Sequence, residues 1–157
     1  MYAIGDMVVC PMHGAGKIEK IETREVDRAE QKYYSVALLL GNIHIMVPVA
    51  LEATHMRCVV SQDTAQKILL ALPELTDEQN SNWSRRYREN MDKLKSGDLM
   101  ETARVFKSLH KRNHEKTLSA GERKMLHSAK QILVSELMVA LQKDAQDMEQ
   151  TIYDAIG

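Results

Sequence analysis

A chain of 157 residues with 44% hydrophobic residues, 27% charged residues and a formal net charge of −1 has the composition of a soluble globular protein, with one domain or two small ones. No apolar run approaches the roughly 20 residues that span a bilayer, and the N-terminus lacks the basic region and cleavage site of a secretory signal. Cys10 and Cys58 lie far apart without a CxxC spacing, so we expect no membrane partner and a reducing, cytoplasmic location.

The first sixty residues have the alternating pattern of β-strands. Four segments show it: DMVVC (6–10), GKIEKIETREV (16–26), YYSVALLL (33–40) and IHIMVPV (43–49). The second segment breaks its alternation between Ile18 and Ile21, which indicates a bulge. Pro48 cannot donate to a strand ladder, so its strand should lie at a sheet edge or end there. Four or five short strands with tight turns predict a small antiparallel β-barrel of the Tudor/SH3-like kind, or a strongly bent sheet.

After residue 60 the apolar period becomes that of helices. Ser61 is a predicted N-cap for a short helix that ends near Leu72, before Pro73. The polar segment PELTDEQNSN (73–82) then reads as a connector. Four further helices are predicted: about Asn82 to Lys95, one capped by Asp98, a long one capped by Ser119 with Glu122, and a closing one over 144–156.

The predicted fold class is therefore α+β, with a small β module followed by a compact all-α module. We divide the chain into a β-barrel domain (1–60), a short helix with an acidic linker (61–80) and a helical domain (81–157). The short helix is expected to pack on the barrel or to bridge the two modules. Cys10 is expected to be a small core residue rather than a redox switch.

Charge is strongly segregated along the chain. Residues 81–130 carry 13 Lys/Arg and 6 Asp/Glu, a net charge of +7, whereas residues 1–60, 61–80 and 131–157 have net charges of −1, −3 and −4. A localised basic block is typical of a surface that binds a polyanion, although a solvated helical face gives the same pattern. Arg123 and Lys124 fall in the first turns of a helix, where the dipole disfavours cations, and this placement fits a phosphate contact.

The segment NSNWSRRYREN (80–90) contains the only tryptophan, Trp83, followed by three arginines. On a helix Trp83 shares one stripe with Tyr87, Met91 and Leu94, which favours a core anchor. Trp83 also stands in the first turn, where a side chain can extend beyond its own bundle. The pattern leaves both interpretations open: an anchor in the core, or an exposed ring that contacts a ligand.

Signals for catalysis are sparse, and no catalytic residue, cofactor or small-molecule substrate is predicted. HGAG (13–16) lies between two strands, so it is better interpreted as a tight turn than as a phosphate loop. His110 and His114 have the spacing of two metal ligands on one helix face. No third ligand has a recognisable spacing and several cations lie nearby, so no metal site is predicted.

Several motifs resemble a known family of bacterial proteins. IGDMVVCPMHGAGKIEKIETREV, YYSVALLL and IHIMVPV resemble the RNA-polymerase-interacting module shared by CarD-family regulators and transcription-repair coupling factors. NWSRRYRENMDKLKSGD and LSAGERKMLHSAKQILVSEL resemble the helical DNA-binding module of CarD-type regulators. The resemblance runs in order from Ile4 to about Leu141.

The resemblance implies an accessory protein of bacterial RNA polymerase that is not an enzyme. In this family the barrel binds the polymerase β subunit through an exposed strand edge, and the helical module contacts promoter DNA at the upstream edge of the bubble. The family's tryptophan, which wedges into the minor groove and hinders closure of the bubble, matches Trp83. Its basic DNA contacts match Arg85, Arg88 and Arg123, and we add their basic neighbours Arg86 and Lys124.

For polymerase binding, the family's arginine in the IETR strand matches Arg24. The edge strand matches Met46, Val47 and Pro48, and Met46 stands where some relatives carry an arginine that grips polymerase. The leading hypothesis is a regulator that stabilises the open promoter complex by bridging polymerase and DNA. The alternative is a protein-binding adaptor whose basic helices dock an acidic partner.

Overall fold

The structure is a computed structural model and describes residues 1–76 and 79–157. Its N-terminal part holds five strands and one short helix: β1 (Met7–Cys10), β2 (Gly14–Val26), β3 (Ala29–Leu38), β4 (His44–Pro48), α1 (Glu52–His55) and β5 (Arg57–Cys58). Five longer helices follow: α2 (Gln62–Ala71), α3 (Trp83–Lys95), α4 (Leu99–Glu115), α5 (Ala120–Leu141) and α6 (Ala145–Ile156). Single 3-10 turns cover Val49–Leu51 and Leu72–Glu74. The α+β class predicted from the sequence is confirmed.

The strands form one antiparallel sheet in the order β4-β3-β2-β1-β5. The register of β2 against β3 shifts between Ile18 and Lys20, which confirms the predicted bulge. Strand β4 is an edge strand and ends at Pro48, so the placement predicted from the missing N–H of this residue is also confirmed.

The prediction of a closed barrel is not confirmed, because the sheet is open. After Pro48 the chain enters a 3-10 turn and α1 instead of continuing as a strand. The strand that follows, β5, has only two residues, and both pair with β1. Strands β4 and β5 therefore lie at opposite edges of the sheet, and among the described residues no pairing joins them.

Four helices begin at or next to the residues predicted from the sequence. Ser61, Asn82, Asp98 and Ser119 are the N-caps of α2, α3, α4 and α5, and each side chain accepts a main-chain N–H of the first turn. These bonds satisfy donors that have no partner inside the helix. The connector predicted over 73–82 lies between α2 and α3, except that residues 77 and 78 lie outside the described residues.

Two apolar clusters make up the core. One lies on the inner face of the sheet and includes Val8, Ile18, Tyr34 and Val36. Cys10 belongs to this cluster, as predicted, and its burial raises the pKa of the thiol to about 11. The other cluster fills the helical part, where buried residues come from α2 through α6. No helix among the described residues is long and apolar enough to cross a membrane.

Helix α5 is the central element of the molecule. It packs against α4, α6 and α2 and also against strand β2 of the sheet. Helix α2 places Ala65 and Ile68 in the helical core and packs chiefly against α5 and α6. It therefore does not pack on the sheet, which was one of its two predicted positions. The division into domains at residues 60 and 80 stays a prediction.

Candidate functional site

Trp83 is the first residue of α3, and 45% of its surface is exposed. Its ring stacks on that of Tyr87, with the centroids 5.2 Å apart and an interplanar angle of 21°. The indole Nε1–H donates a hydrogen bond of 3.0 Å to the Ser119 Oγ, at the N-cap of α5. One face of the indole is therefore held by the protein, and the ring lies at the surface in a fixed orientation.

A glycine allows the two rings to lie close to the first turn of α5. A Cβ added to Gly121 would stand 3.2 Å from Tyr87 Cε2 and 3.8 Å from Trp83 Cζ2. The first of these distances is tighter than ordinary van der Waals contact, so a larger residue would displace Tyr87 and the tryptophan stacked on it. Nothing in the helical period singled out Gly121, because the contact joins residues more than thirty positions apart.

Arg86 is buried, and this placement does not support the prediction that it contacts DNA. Only 3% of the residue is exposed. Its Nε donates to Glu122 Oε2 at 3.0 Å, and its Nη1 donates to the main-chain oxygens of Asn80 and Ser81. The arginine therefore joins α3 to α5 from the inside. A run of three arginines cannot show which one faces inward unless the position of the neighbouring helix is known.

Glu122 is held in its charged form by this contact. Burial by itself raises the pKa of a carboxyl group, but the hydrogen bonds and positive charge of Arg86, with a further contribution from Arg112, lower the pKa of Glu122 below its ordinary value. The Glu122 N–H also donates to Ser119 Oγ, the atom that accepts the Trp83 indole hydrogen. The four residues Trp83, Arg86, Ser119 and Glu122 thus connect the beginnings of two helices, and we call them the α3–α5 junction.

Four of the predicted basic contacts are exposed and lie close in sequence to the junction: Arg85, Arg88, Arg123 and Lys124. Arg123 keeps its side chain near the start of α5 by donating from Nη1 to the Leu118 oxygen at 3.0 Å. The positive ends of two helix dipoles meet here as well. A half-exposed indole where two helix N-termini meet, with exposed cations on the same two helices, favours an anion with a planar group beside it.

Other cations of the basic block have internal partners. Lys107 Nζ donates to the carbonyl oxygens of Leu72 and Pro73 at 2.7 and 2.8 Å. Arg104 Nη1 donates to the oxygen of Thr76 at 3.2 Å. These side chains fasten α4 to the segment that follows α2, so several of their N–H groups are already bonded within the protein.

The predicted polymerase contacts lie on the sheet. Arg24 is in β2, where it is exposed and ion-paired with Glu22 at 3.2 Å, and Met46 and Pro48 are in β4. The register aligns Lys20 with Ser35 and Ser35 with Met46. Because side chains alternate along a strand, Arg24, Met46 and Pro48 all project from the same, outer face of the sheet.

Val47 has the opposite orientation, since its side chain is 4% exposed and belongs to the inner core. The Val47 side chain is therefore not available to a partner at the edge of β4. The alternation of IHIMVPV predicted this orientation, because it places Val47 on the apolar face with Ile43 and Ile45.

The free edge of β4 presents main-chain groups at Met46. The Leu38 N–H donates to the Ile43 oxygen at 2.9 Å, so these two residues form a hydrogen-bonded pair of the antiparallel ladder. Hydrogen-bonded and non-bonded pairs alternate, and the Ser35–Met46 pair is a non-bonded one. The N–H and C=O of Met46 therefore point away from β3, where a further strand could pair with them.

His110 and His114 come together on α4, with their Nε2 atoms 3.2 Å apart. Among residues 1–76 and 79–157 no group of three or more His, Cys, Asp or Glu side chains is arranged to hold a metal ion. His110 instead stacks on Phe106 and lies against the Tyr153 ring of α6. Burial, and then the neighbouring His114, lower the pKa of His110.

The variant His110→Phe is expected to lose less stability in mild acid than the wild-type protein does. Because the pKa of His110 is lowered in the native state, the unfolded chain binds this proton more readily, near pH 6.5, so the wild-type protein loses stability as the pH falls through about 6.5. Phenylalanine keeps the aromatic packing but cannot bind a proton. Thermal unfolding at pH 7.5 and pH 5.5 measures the difference, with the exposed His127→Gln as control. An unchanged pH dependence in His110→Phe would contradict the assignment.

Comparison with known proteins gives two family matches that cover most of the chain. Residues 2–60 match the family model described as the CarD-like/TRCF RID domain. Residues 67–153 match the model described as the CarD C-terminal domain. A protein of Bacillus subtilis (strain 168), named "Putative transcription factor YdeB", is 36% identical over 140 residues, which cover 88% of this chain and 92% of that protein.

Proposed function

Because the chain belongs to the CarD family of transcription regulators, we propose that it bridges RNA polymerase and promoter DNA and thereby stabilises the open complex. In this proposal the outer face and free edge of β4 bind the polymerase β subunit. The α3–α5 junction contacts DNA at the upstream edge of the transcription bubble. The observation that carries the proposal is the position of Trp83, half-exposed and held by Tyr87 and Ser119 where the N-termini of two helices meet, on helices that also carry four exposed cations.

The junction is suited to DNA that is already deformed. Phosphate contacts from arginine and lysine supply attraction that depends on salt but carries little sequence information. A planar ring gains contact only where base pairs are unstacked or a groove is opened, because apolar wedges enter the minor groove at kinked steps. Trp83 can offer only the face that Tyr87 leaves uncovered, and it needs no rearrangement to do so.

The sheet supplies the second attachment. The match of residues 2–60 to the CarD-like/TRCF RID domain supports binding to polymerase. Strand addition at β4 would use the main-chain groups of Met46 for affinity and the outer side chains, including Arg24, for specificity. Attachment at this edge raises the effective concentration of the DNA-contacting helices at the promoter, so that weak DNA binding is sufficient.

The experiment that tests the proposal is the dissociation of open complexes formed by bacterial RNA polymerase on a labelled promoter, with and without this protein. We expect a longer lifetime with the protein and an advantage that declines as salt is raised, since phosphate contacts release counterions. An unchanged lifetime would refute the proposal. If polymerase still binds the protein in that case, the alternative becomes the better account, in which the basic helices dock an acidic protein.

Replacing Met46 with glutamate is expected to weaken polymerase binding at least tenfold, or about 1.4 kcal/mol. A charged side chain at a sheet edge is a common device against strand addition, because it resists desolvation when another strand pairs there. Titration of labelled polymerase measures the affinity. Leu70→Glu is the matched control, because Leu70 is an exposed apolar residue of α2, far along the chain from β4. Equal affinities for Met46→Glu and wild type would place the interface elsewhere.

A further inference from the structure

An ion pair joins the end of the sheet to the middle of α5. Arg57 of β5 donates from Nη1 and Nη2 to the two carboxylate oxygens of Glu136, each at 2.6 Å. The Val60 N–H donates to the same carboxylate at 2.9 Å. Glu136 is 0% exposed, so the carboxylate has this partner set instead of water.

Arg57 also reaches the turn between α3 and α4. Its Nε donates to the Gly97 carbonyl oxygen at 2.7 Å. The two ends of the guanidinium therefore fix β5 against two separate parts of the helical bundle. Arg57 and Val60 lie within the residues that match the RID domain, while Gly97 and Glu136 lie within those that match the CarD C-terminal domain.

A second contact fixes strand β2 to the same helix. The Ala15 N–H at the start of β2 donates to Ser135 Oγ at 2.9 Å. Gly14 approaches α5 so closely that an added Cβ would stand 2.6 Å from the same oxygen and 3.3 Å from the Gln131 carbonyl oxygen. Adjacent residues of α5, Ser135 and Glu136, thus bind two strands of the sheet, which prevents α5 from turning or sliding on it.

Stability alone is a poor explanation for the Arg57–Glu136 pair. Replacing a buried ion pair with apolar residues of similar volume is often neutral or stabilising, because the desolvation of both charges offsets their attraction. What an apolar contact lacks is direction, since it tolerates rotation and sliding that a two-point hydrogen-bonded pair does not. The pair therefore specifies a geometry between the sheet and the helices.

We propose that Arg57 and Glu136 are positioning residues that hold the β4 edge and Trp83 at one fixed separation and angle. This inference rests on the function proposed above, in which one end of the molecule binds polymerase and the other binds DNA. A rigid bridge delivers the tryptophan to a single place on the promoter. A loose one spreads it over many places and reduces its effective concentration at the bubble.

The test is a double variant, Arg57→Met with Glu136→Leu, which removes both charges together and keeps the volume. The matched control is Lys130→Met with Glu149→Leu, because that ion pair is also 2.6 Å long but joins α5 to α6 inside the helical part. Spin labels at positions 30 and 89, on the β2–β3 hairpin and on α3, report the separation of the two ends. Cys58→Ser removes the exposed thiol from the background, while Cys10 is buried.

We expect the double variant to bind polymerase with an affinity within about twofold of wild type. The same should hold for its affinity for a pre-melted DNA fragment in the absence of polymerase. The distribution of distances between its spin labels should broaden, and the open-complex lifetime should shorten about tenfold. The control variant, Lys130→Met with Glu149→Leu, should change neither quantity. A narrow, wild-type distance distribution in the double variant would overturn the inference, as would a wild-type lifetime. If the double variant fails to fold, Arg57→Lys answers the same question, because it keeps a positive charge beside Glu136 but cannot make the two-point contact.

The label distances also separate this inference from the proposed function. They are measured on the free protein, so they test the positioning role even if wild-type protein has no effect on open complexes. Failure of wild type to prolong the lifetime would refute the proposed function. Unchanged distances together with a prolonged wild-type lifetime would refute only the role of Arg57 and Glu136.

Discussion

Replacing Trp83 with alanine is expected to shorten the lifetime of the open complex formed with this protein by about 5- to 150-fold. Contact between an aromatic side chain and a base is worth about 1–3 kcal/mol, and every 1.4 kcal/mol is a factor of ten in an equilibrium constant. The ring has a face free for such contact, because 45% of the residue is exposed. The measurement is the dissociation rate of open complexes at saturating protein.

The substitution Trp83→Ala should affect the contact with DNA and not the binding of polymerase. Polymerase binding by Trp83→Ala should equal that of wild type, since the residue lies in the helical part and not on β4. Leu70→Ala is the matched control, because it removes another exposed apolar side chain from a helix. If Trp83→Ala and wild type gave the same lifetime, the exposed cations alone would carry the DNA contact and the wedge role of the ring would be refuted.

Replacing Arg86 with methionine is expected to lower the free energy of unfolding by about 3–5 kcal/mol. The change leaves the buried Glu122 carboxylate without its cation, and an uncompensated buried charge is strongly destabilising. The carbonyl oxygens of Asn80 and Ser81 lose a donor at the same time. Denaturation by urea at pH 7 measures the loss, and Arg85→Met is the control because Arg85 is exposed on the same helix.

Two further measurements show whether the buried charge is the cause. Adding Glu122→Leu to Arg86→Met should recover part of the stability, since the orphaned carboxylate is then gone. The difference in the free energy of unfolding between wild type and Arg86→Met should also become smaller as the pH falls below about 4.3. The native pKa of Glu122 is lowered, so the stability it contributes is present above its unfolded pKa and is lost as acid protonates the native carboxylate. If Arg86→Met lowered the free energy of unfolding by less than about 1 kcal/mol, the Arg86–Glu122 pair would be in contact with water in solution.

Lost stability and lost function are separable for the two residues. Arg86→Met should weaken the support of the Trp83 ring only indirectly, through the α3–α5 junction, and its DNA effect should diminish under conditions that stabilise the fold. Trp83→Ala should reduce open-complex lifetime and lower the free energy of unfolding less than Arg86→Met does, because the ring is half-exposed and leaves no buried charge behind. The comparison distinguishes a residue that contacts DNA from one that holds the contacting residue.

Local features of the sequence determined the elements of this protein. Hydrophobic alternation placed the strands, a break in the alternation placed the bulge of β2, and Pro48 placed the edge. Ser61, Asn82, Asp98 and Ser119 began helices where their side chains could bond the first turn. Each of these features acts within a few residues, so a single sequence contains them.

Tertiary structure decided what no local pattern contains. It left the sheet open and turned Arg86 inward between the exposed Arg85 and Arg88. It also assigned Lys107 to main-chain oxygens and brought Arg57 to Glu136 across 79 positions of the chain. A charged side chain has the same pattern in sequence whether it meets solvent, a ligand or a buried partner. Only the position of the neighbouring element, often far away in the chain, determines which of these it contacts.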